Sequence, residues 1–132
     1  MAGLKLDGTG QVKMATLEAA MHVAMTLNAQ AERMAVAVKG NAKGTQNYVS
    51  AYKRAATPLV GQLKGQFGMI AEIVANSILL VSRPGGGDVM RVRVMREGVA
   101  QLKVQLEIAI SHVKEKHAKH DDKPDGSPAG SP

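Results

Sequence analysis

The sequence predicts an all-α protein, an antiparallel helical bundle. Apolar and small residues recur at alternating spacings of three and four over three long stretches, the pattern of helices that pack along one side. Segments rich in glycine and proline separate the stretches, and no alternating apolar and polar run indicates a strand. The 132 residues, 45% of them hydrophobic, suffice for one domain with one core. We therefore expect three long helices, with the middle one split to give four.

The first helix is predicted over residues 12–38. Its repeating positions are Met14, Leu17, Met21, Ala24, Asn28, Ala31, Ala35 and Val38. Asn28 is the one polar residue in this heptad-like series. The helix should end within residues 39–44, where two glycines and an asparagine favour helix exit. Residues 1–10 contain three glycines and are predicted to form a flexible arm.

The middle segment, residues 45–82, continues the same spacing and contains a proline at its centre. Its repeating positions are Val49, Tyr52, Ala56, Leu59, Leu63, Gln66, Ile70, Ile73, Ser77 and Leu80. Proline removes a helical hydrogen bond, whereas Thr57 as N-cap followed by Pro58 is a favourable helix start. We expect either two helices, 45–56 and 58–82, or one kinked helix.

Three glycines, Gly61, Gly65 and Gly68, follow within the second piece. Each costs about 1 kcal/mol relative to alanine in a helix interior. Either close approach of a neighbouring helix or a local bend would account for them.

Asp88 is predicted to be the N-cap of the last helix, because the glycine-rich turn over residues 82–87 cannot continue a helix. Its repeating positions are Val92, Met95, Val99, Leu102, Leu106, Ala109 and Val113. Residues 120–132 are rich in Asp, Pro, Gly and Ser and have no bulky apolar side chain, so we expect them to be disordered. The helical domain then spans residues 11–119.

The positive charge is concentrated in the centre of the chain. Residues 39–103 hold ten Lys and Arg against three acids, whereas the rest of the chain holds seven against eight. Such a region attracts a polyanion, so nucleic acid or an acidic protein is the expected partner. One Phe, two Tyr and no Trp offer little for base stacking, which favours contacts with phosphates.

Seven basic residues are the candidates for nucleic-acid binding. They are Lys53, Arg54, Lys64, Arg91, Arg93, Arg96 and Lys103. Lys53 and Lys64 are eleven residues apart and share a face if the helix continues across Pro58, and Arg96 and Lys103 are seven apart. A solvated face that only keeps the bundle soluble is the alternative interpretation. An adaptor whose basic face binds an acidic protein is the alternative function.

Catalysis, metals and cofactors find little support in the sequence. The acids are too dispersed to form a general acid and base pair, and there is no cysteine. His112, His117 and His120 are predicted to be solvated surface residues, and Gly85–Gly87 lack the Lys-Ser/Thr pair of a P-loop. We expect a non-enzymatic protein with no metal and no cofactor. No signal peptide or membrane-spanning run is recognised, so the expected location is cytoplasmic.

Two segments resemble a known family. Residues 52–63 (YKRAATPLVGQL) resemble the motif L-R-R-A-A-x-S-hydrophobic-x-x-N-I, and residues 99–109 (VAQLKVQLEIA) resemble L-A-E-L-E-T-Q-L-x-I-A. Both motifs belong to the four-helix-bundle family of ribosomal RNA intervening-sequence proteins and of the accessory variability determinants of diversity-generating retroelements. The resemblance implies a basic homo-oligomeric bundle, ring-like in the retroelement branch, that binds nucleic acid and a reverse transcriptase without catalysing a reaction. Lys53 and Arg54 match the basic pair of the first motif.

Overall fold

The computed structural model describes residues 6–118, and within them the chain forms four α-helices. They are α1 (Gly8–Lys39), α2 (Gln46–Lys64), α3 (Gly68–Val81) and α4 (Asp88–Lys116). The only β pairing in this range is one isolated bridge between Leu6 and Ala118. The all-α class and the count of four helices are thereby confirmed for the described residues.

The helices form a bundle with one helix at each corner. α1 and α3 each pack against both α2 and α4, so α1 lies diagonal to α3 and α2 lies diagonal to α4. Short connections make consecutive helices antiparallel. α1 has 32 residues and is about 48 Å long, whereas the 19 residues of α2 span about 28 Å. The free ends of α1 and α4 therefore extend together beyond α2 and α3.

The middle segment divides at residues 65–67 and not at Pro58. α2 continues through Pro58, which is exposed, so the carbonyl group that loses its partner lies at the surface in reach of water. Thr57 Oγ1 donates to the carbonyl oxygen of Lys53 at 2.7 Å in the same turn. The chain reverses instead around Gly65, where α3 turns back to pack on α2.

Close helix packing does not explain the three glycines of this segment. A Cβ atom built on Gly61, Gly65 or Gly68 would meet nothing within 4 Å, so that interpretation is wrong within the described chain. Gly65 and Gly68 flank the chain reversal, which corresponds to the alternative of a local bend. The close approach occurs at Gly98 of α4, whose added Cβ would lie 2.8 Å from the Cβ of Ser77 and 3.0 Å from the hydroxyl of Tyr52.

The core follows the predicted series closely in two helices. All five predicted positions of α2 are buried, and so are six of the seven of α4, with Ala109 half-buried. In α1 the buried stripe includes Ala20, Leu27 and Met34, and Asn28 is exposed, so its predicted place in the seam was wrong. α3 buries the predicted positions Ile70 and Ser77, and at the other two positions the buried residue is shifted by one from the prediction. The residues that it buries include Val74 and Val81, whereas Leu80 is 42% exposed.

The two ends of the described chain meet. Asp7 caps α1 by accepting a hydrogen bond from the Gly10 amide at 2.7 Å, and its own amide donates to the His117 carbonyl at 3.0 Å. The helix therefore starts at Gly8, inside the predicted flexible arm of residues 1–10, and that prediction is wrong for its last residues. The disorder predicted for residues 120–132 lies outside the described residues.

Candidate nucleic-acid interface

The seven predicted basic residues fall into two groups on diagonal helices. Lys53, Arg54 and Lys64 belong to α2, and the other four belong to α4. Since α1 and α3 separate these helices, the two groups lie on opposite sides of the bundle, and Arg93 and Arg96 lie on the side of α4 that faces α1. The structure therefore contains two separate basic surfaces where the sequence suggested one.

The basic surface of α2 depends on the helix being continuous. Because α2 runs through Pro58, Lys53 and Lys64 lie three turns apart on one face, about 16 Å along the axis. Lys53 is half-buried, and Arg54 and Lys64 are exposed. No acid occurs between Gln46 and Lys64, so nothing on α2 itself offsets these three charges.

Arg96 of α4 already has a partner within the bundle. Its guanidinium donates two hydrogen bonds, each 2.8 Å long, to the two carboxylate oxygens of Glu32 on α1. The hydrogen bonds hold the pKa of Glu32 below its ordinary value, and Glu32 raises the pKa of Arg96. This two-point contact joins residues 64 positions apart, so Arg96 acts first as a link between α1 and α4.

Arg91 is half-buried and also has a partner within the bundle. Its side chain is 17% exposed and forms an ion pair of 3.4 Å with Asp88, one turn earlier in α4. The other oxygen of Asp88 accepts a hydrogen bond from Thr45 Oγ1 at 2.8 Å. Arg91 thus belongs to a polar cluster that fastens the start of α4 to the residue before α2.

Of the seven predicted residues, Arg93 and Lys103 are the exposed ones on α4 that form no ion pair within residues 6–118. Arg93 lines a surface groove of about 440 Å³ between α1 and α4, together with Arg96 and Lys39. Lys39 was not predicted as a binding residue because in sequence it stands at the exit of the first helix. Lys39 becomes a candidate only in the folded chain, where the end of α1 lies beside the start of α4.

The charge imbalance persists in the folded chain. Of the ten cations in residues 39–103, only Arg91 and Arg96 form ion pairs within the described part of the protein. The other eight cations have no carboxylate partner within residues 6–118. An external anion can bind these groups without first breaking an internal ion pair.

The histidines of residues 6–118 are not grouped as a metal site. His117 was predicted to be solvated, but its side chain is only 13% exposed, and Nδ1 lies 3.3 Å from the Asp7 carboxylate. Its Nε2 is buried without a hydrogen-bond partner. His112 is exposed, and His120 lies outside the described residues. Among residues 6–118 no group of three or more potential ligands is arranged to hold a metal ion.

The buried polar residues serve packing. The Tyr52 hydroxyl donates to Ser77 Oγ at 3.0 Å, and Ser77 Oγ donates to the Val74 carbonyl at 2.9 Å. Burial raises the pKa of Tyr52, and the hydrogen bond to Ser77 partly opposes this rise. The pair links α2 to α3 where Gly98 of α4 comes closest.

Comparison of the chain with protein-family models, curated proteins and solved structures finds no match. The resemblance to the intervening-sequence and retroelement bundle family therefore stays a prediction. Its two motif segments lie in α2 and α4 respectively. No helix in residues 6–118 has both the length and the apolarity to cross a bilayer.

Proposed function

We propose that this chain is a non-enzymatic basic helical bundle that binds RNA or DNA through phosphate contacts. The observation that carries the proposal is the set of eight cations between residues 39 and 103 that have no carboxylate partner within the described chain. A cation that is paired with a carboxylate must break that ion pair to bind a phosphate, whereas an unpaired cation binds the phosphate without this loss. The resemblance to the bundle family extends the proposal to a role as accessory subunit of a reverse transcriptase or another nucleoprotein complex.

The two basic surfaces suggest how phosphates are engaged. Each surface offers two or three exposed cations: Arg54 and Lys64 with the half-buried Lys53 on α2, and Arg93, Lys103 and Lys39 along α4 and the end of α1. Because the surfaces face opposite sides, one straight duplex contacts one of them at a time. Sequence preference should be slight, since phosphate contacts carry no base information.

The test is a salt titration of binding to generic RNA and DNA. Each neutralised phosphate contributes about −0.7 to −0.9 to the slope of log K against log salt, so four to six contacts give roughly −3 to −5. Two triple variants probe the surfaces separately, Lys53→Glu/Arg54→Glu/Lys64→Glu on α2 and Lys39→Glu/Arg93→Glu/Lys103→Glu beside α4. Arg91 and Arg96 are left intact because Arg91 is paired with Asp88 within α4 and Arg96 joins α4 to Glu32 of α1.

The matched control is Arg33→Glu/Lys114→Glu/Lys116→Glu. It makes the same change in net charge with three exposed cations outside residues 39–103, none of which forms an ion pair within residues 6–118. We expect at least one of the two test variants to lose most of its affinity while the control retains most. Equal losses of affinity in all three variants would mean that net charge, and neither surface in particular, determines binding. No binding by the natural chain at low salt would overturn the proposal and favour an acidic protein partner.

A further inference from the structure

The outer side of the α3/α4 pair is apolar although it faces away from the core. On α4, residues at spacings of four and three form an outer stripe of Met90, Val94, Glu97, Gln101, Val104 and Ile108. On α3, the matching stripe is Met69, Ile73, Asn76 and Leu80. Four of the apolar members, Met69, Met90, Val104 and Ile108, are between 47% and 80% exposed.

The two stripes form one continuous face. Ile73, Asn76 and Leu80 line a shallow groove together with Val94, Glu97 and Gln101 of α4. Met69 and Ile108 meet in the next groove along the same pair of helices. We call these ten residues the α3/α4 face. None of them is a lysine or arginine, although the chain carries a net charge of +6.

The stripe on α4 is symmetric about the level of Val99. Met90 and Ile108 lie nine residues to either side, Val94 and Val104 five residues, and Glu97 and Gln101 two residues. When two such stripes meet antiparallel about a twofold axis at this level, apolar positions oppose apolar positions. The carboxylate of Glu97 then opposes the amide of Gln101, which can donate a hydrogen bond to it.

The stripe on α3 is compatible with the same axis. Ser77 lies against Gly98 of the antiparallel α4, so Asn76 is level with Val99. A twofold axis at that level places Asn76 opposite Asn76 of the second copy, where two amides can pair. It also places Ile73 near Leu80 of the second copy. A parallel contact between the two α4 stripes alone would bring the two Glu97 carboxylates together, which charge repulsion opposes. A twofold axis parallel to the helices would instead set each α4 stripe against the α3 stripe of the other copy, and in that arrangement Val94 does not face Val104 of the second copy.

We infer that the α3/α4 face binds a second copy of this chain as an antiparallel, twofold-symmetric dimer. The stripe from Met90 to Ile108 is about 27 Å long, and a layer two helices wide is about 18–20 Å across. The corresponding area is about 500 Å² per partner, or about 1,000 Å² in total, which is the lower bound for a specific interface. The geometry also keeps the cations of α2, diagonal to α4, on the outside of the dimer.

The α3/α4 face contains none of the cations proposed to bind phosphates, although Arg93 and Lys103 lie beside it on α4. Dimerisation and nucleic-acid binding are therefore tested separately. Sedimentation equilibrium of the full chain at tens of micromolar should give about twice the 13.9 kDa mass of one chain. Val104→Lys introduces a charge twice per dimer and should weaken association roughly 100-fold or more. The matched control is Val36→Lys on α1, where the native side chain is 73% exposed and lies outside the α3/α4 face.

Cross-linking tests the register. The chain has no cysteine, so introduced thiols have no background. A mixture of the single variants Val94→Cys and Val104→Cys should cross-link through a short bis-maleimide, whereas either variant alone should cross-link poorly. Both copies of Asn76→Cys lie at the axis, so this variant alone should cross-link.

Three outcomes would overturn the inference. The first is a monomer mass for the natural chain at these concentrations, and the second is equal association of Val104→Lys and Val36→Lys. Efficient cross-linking of Val94→Cys with itself would instead indicate the parallel register. A variant that fails to dimerise but keeps its salt-dependent nucleic-acid binding would show that dimerisation and nucleic-acid binding are separate properties.

Discussion

Replacing Gly98 with alanine should destabilise the bundle, although the same change usually stabilises a helix. Alanine in a helix interior gains about 1 kcal/mol over glycine. At position 98, however, the new Cβ would lie 2.8 Å from Ser77 Cβ and 3.0 Å from the Tyr52 hydroxyl, closer than such atoms pack. Overpacking of this kind costs about 1–3 kcal/mol, and disturbing the buried Tyr52–Ser77 hydrogen bond adds about 1 kcal/mol. The net loss should be roughly 1–3 kcal/mol.

The matched control is Gly61→Ala in α2. Its added Cβ meets nothing within 4 Å, so only the helix-propensity gain remains, up to about 1 kcal/mol. Thermal unfolding followed by circular dichroism at one protein concentration should show a lower Tm for Gly98→Ala and a higher one for Gly61→Ala. For a domain of this size about 1 kcal/mol corresponds to roughly 4 °C.

A double variant identifies the clash. Tyr52→Phe removes the hydroxyl oxygen that the new Cβ would meet, so Tyr52→Phe/Gly98→Ala should lose less stability than the sum of its two single variants. If Gly98→Ala shifted the Tm in the same direction and by the same amount as Gly61→Ala, the close approach of α4 to α2 and α3 would be refuted.

The remaining predictions concern the contacts between α1 and α4. Glu32→Gln should lower the Tm at neutral pH. Because the pKa of Glu32 in the folded chain is below its ordinary value of 4.5, the stability that Glu32 contributes is fully present above pH 4.5 and is lost as the pH falls through the folded pKa. The Tm difference between Glu32→Gln and the natural chain should therefore vanish on acidification; a difference that stayed constant with pH would contradict an ionic role. Gly10→Ala should loosen the joined helix ends, since its Cβ would lie 2.5 Å from His117 Cβ, whereas Gly8→Ala, which meets nothing within 4 Å, should not. Hydrogen exchange at the ends of α1 and α4 measures this, and equal exchange in both variants would contradict it.

Periodicity predicted the core best where one face is clearly more apolar than the others. In α4, bulky residues such as Val92, Leu102 and Leu106 occupy the buried face, and the predicted positions were correct. In α1, alanines lie on several faces. A series in which every second position is shifted by one residue, to Ala20, Leu27 and Met34, therefore fits the spacing almost equally well. The larger side chains of Leu27 and Met34 decided the buried face, and Asn28 turned to solvent.

The place where the middle segment reverses was set by packing. Pro58 is a strong local signal, but a proline on the solvent side of a helix costs less than one whose freed carbonyl is buried. Gly65 and Gly68 were recognised as possible bend positions, and only the packing of α3 back onto α2 shows that the chain turns there.

The sequence alone determined that the chain is helical, that it has one core, and that its charge is concentrated in residues 39–103, because these properties depend on composition and local spacing. The tertiary structure decided that the cations divide between two opposite surfaces, because that depends on which helices are diagonal. It also decided that Arg96 is paired with Glu32, 64 residues away, while Arg93 in the preceding turn is not. Spacing within a helix shows which residues share a face, but only the packing of helices shows what that face meets.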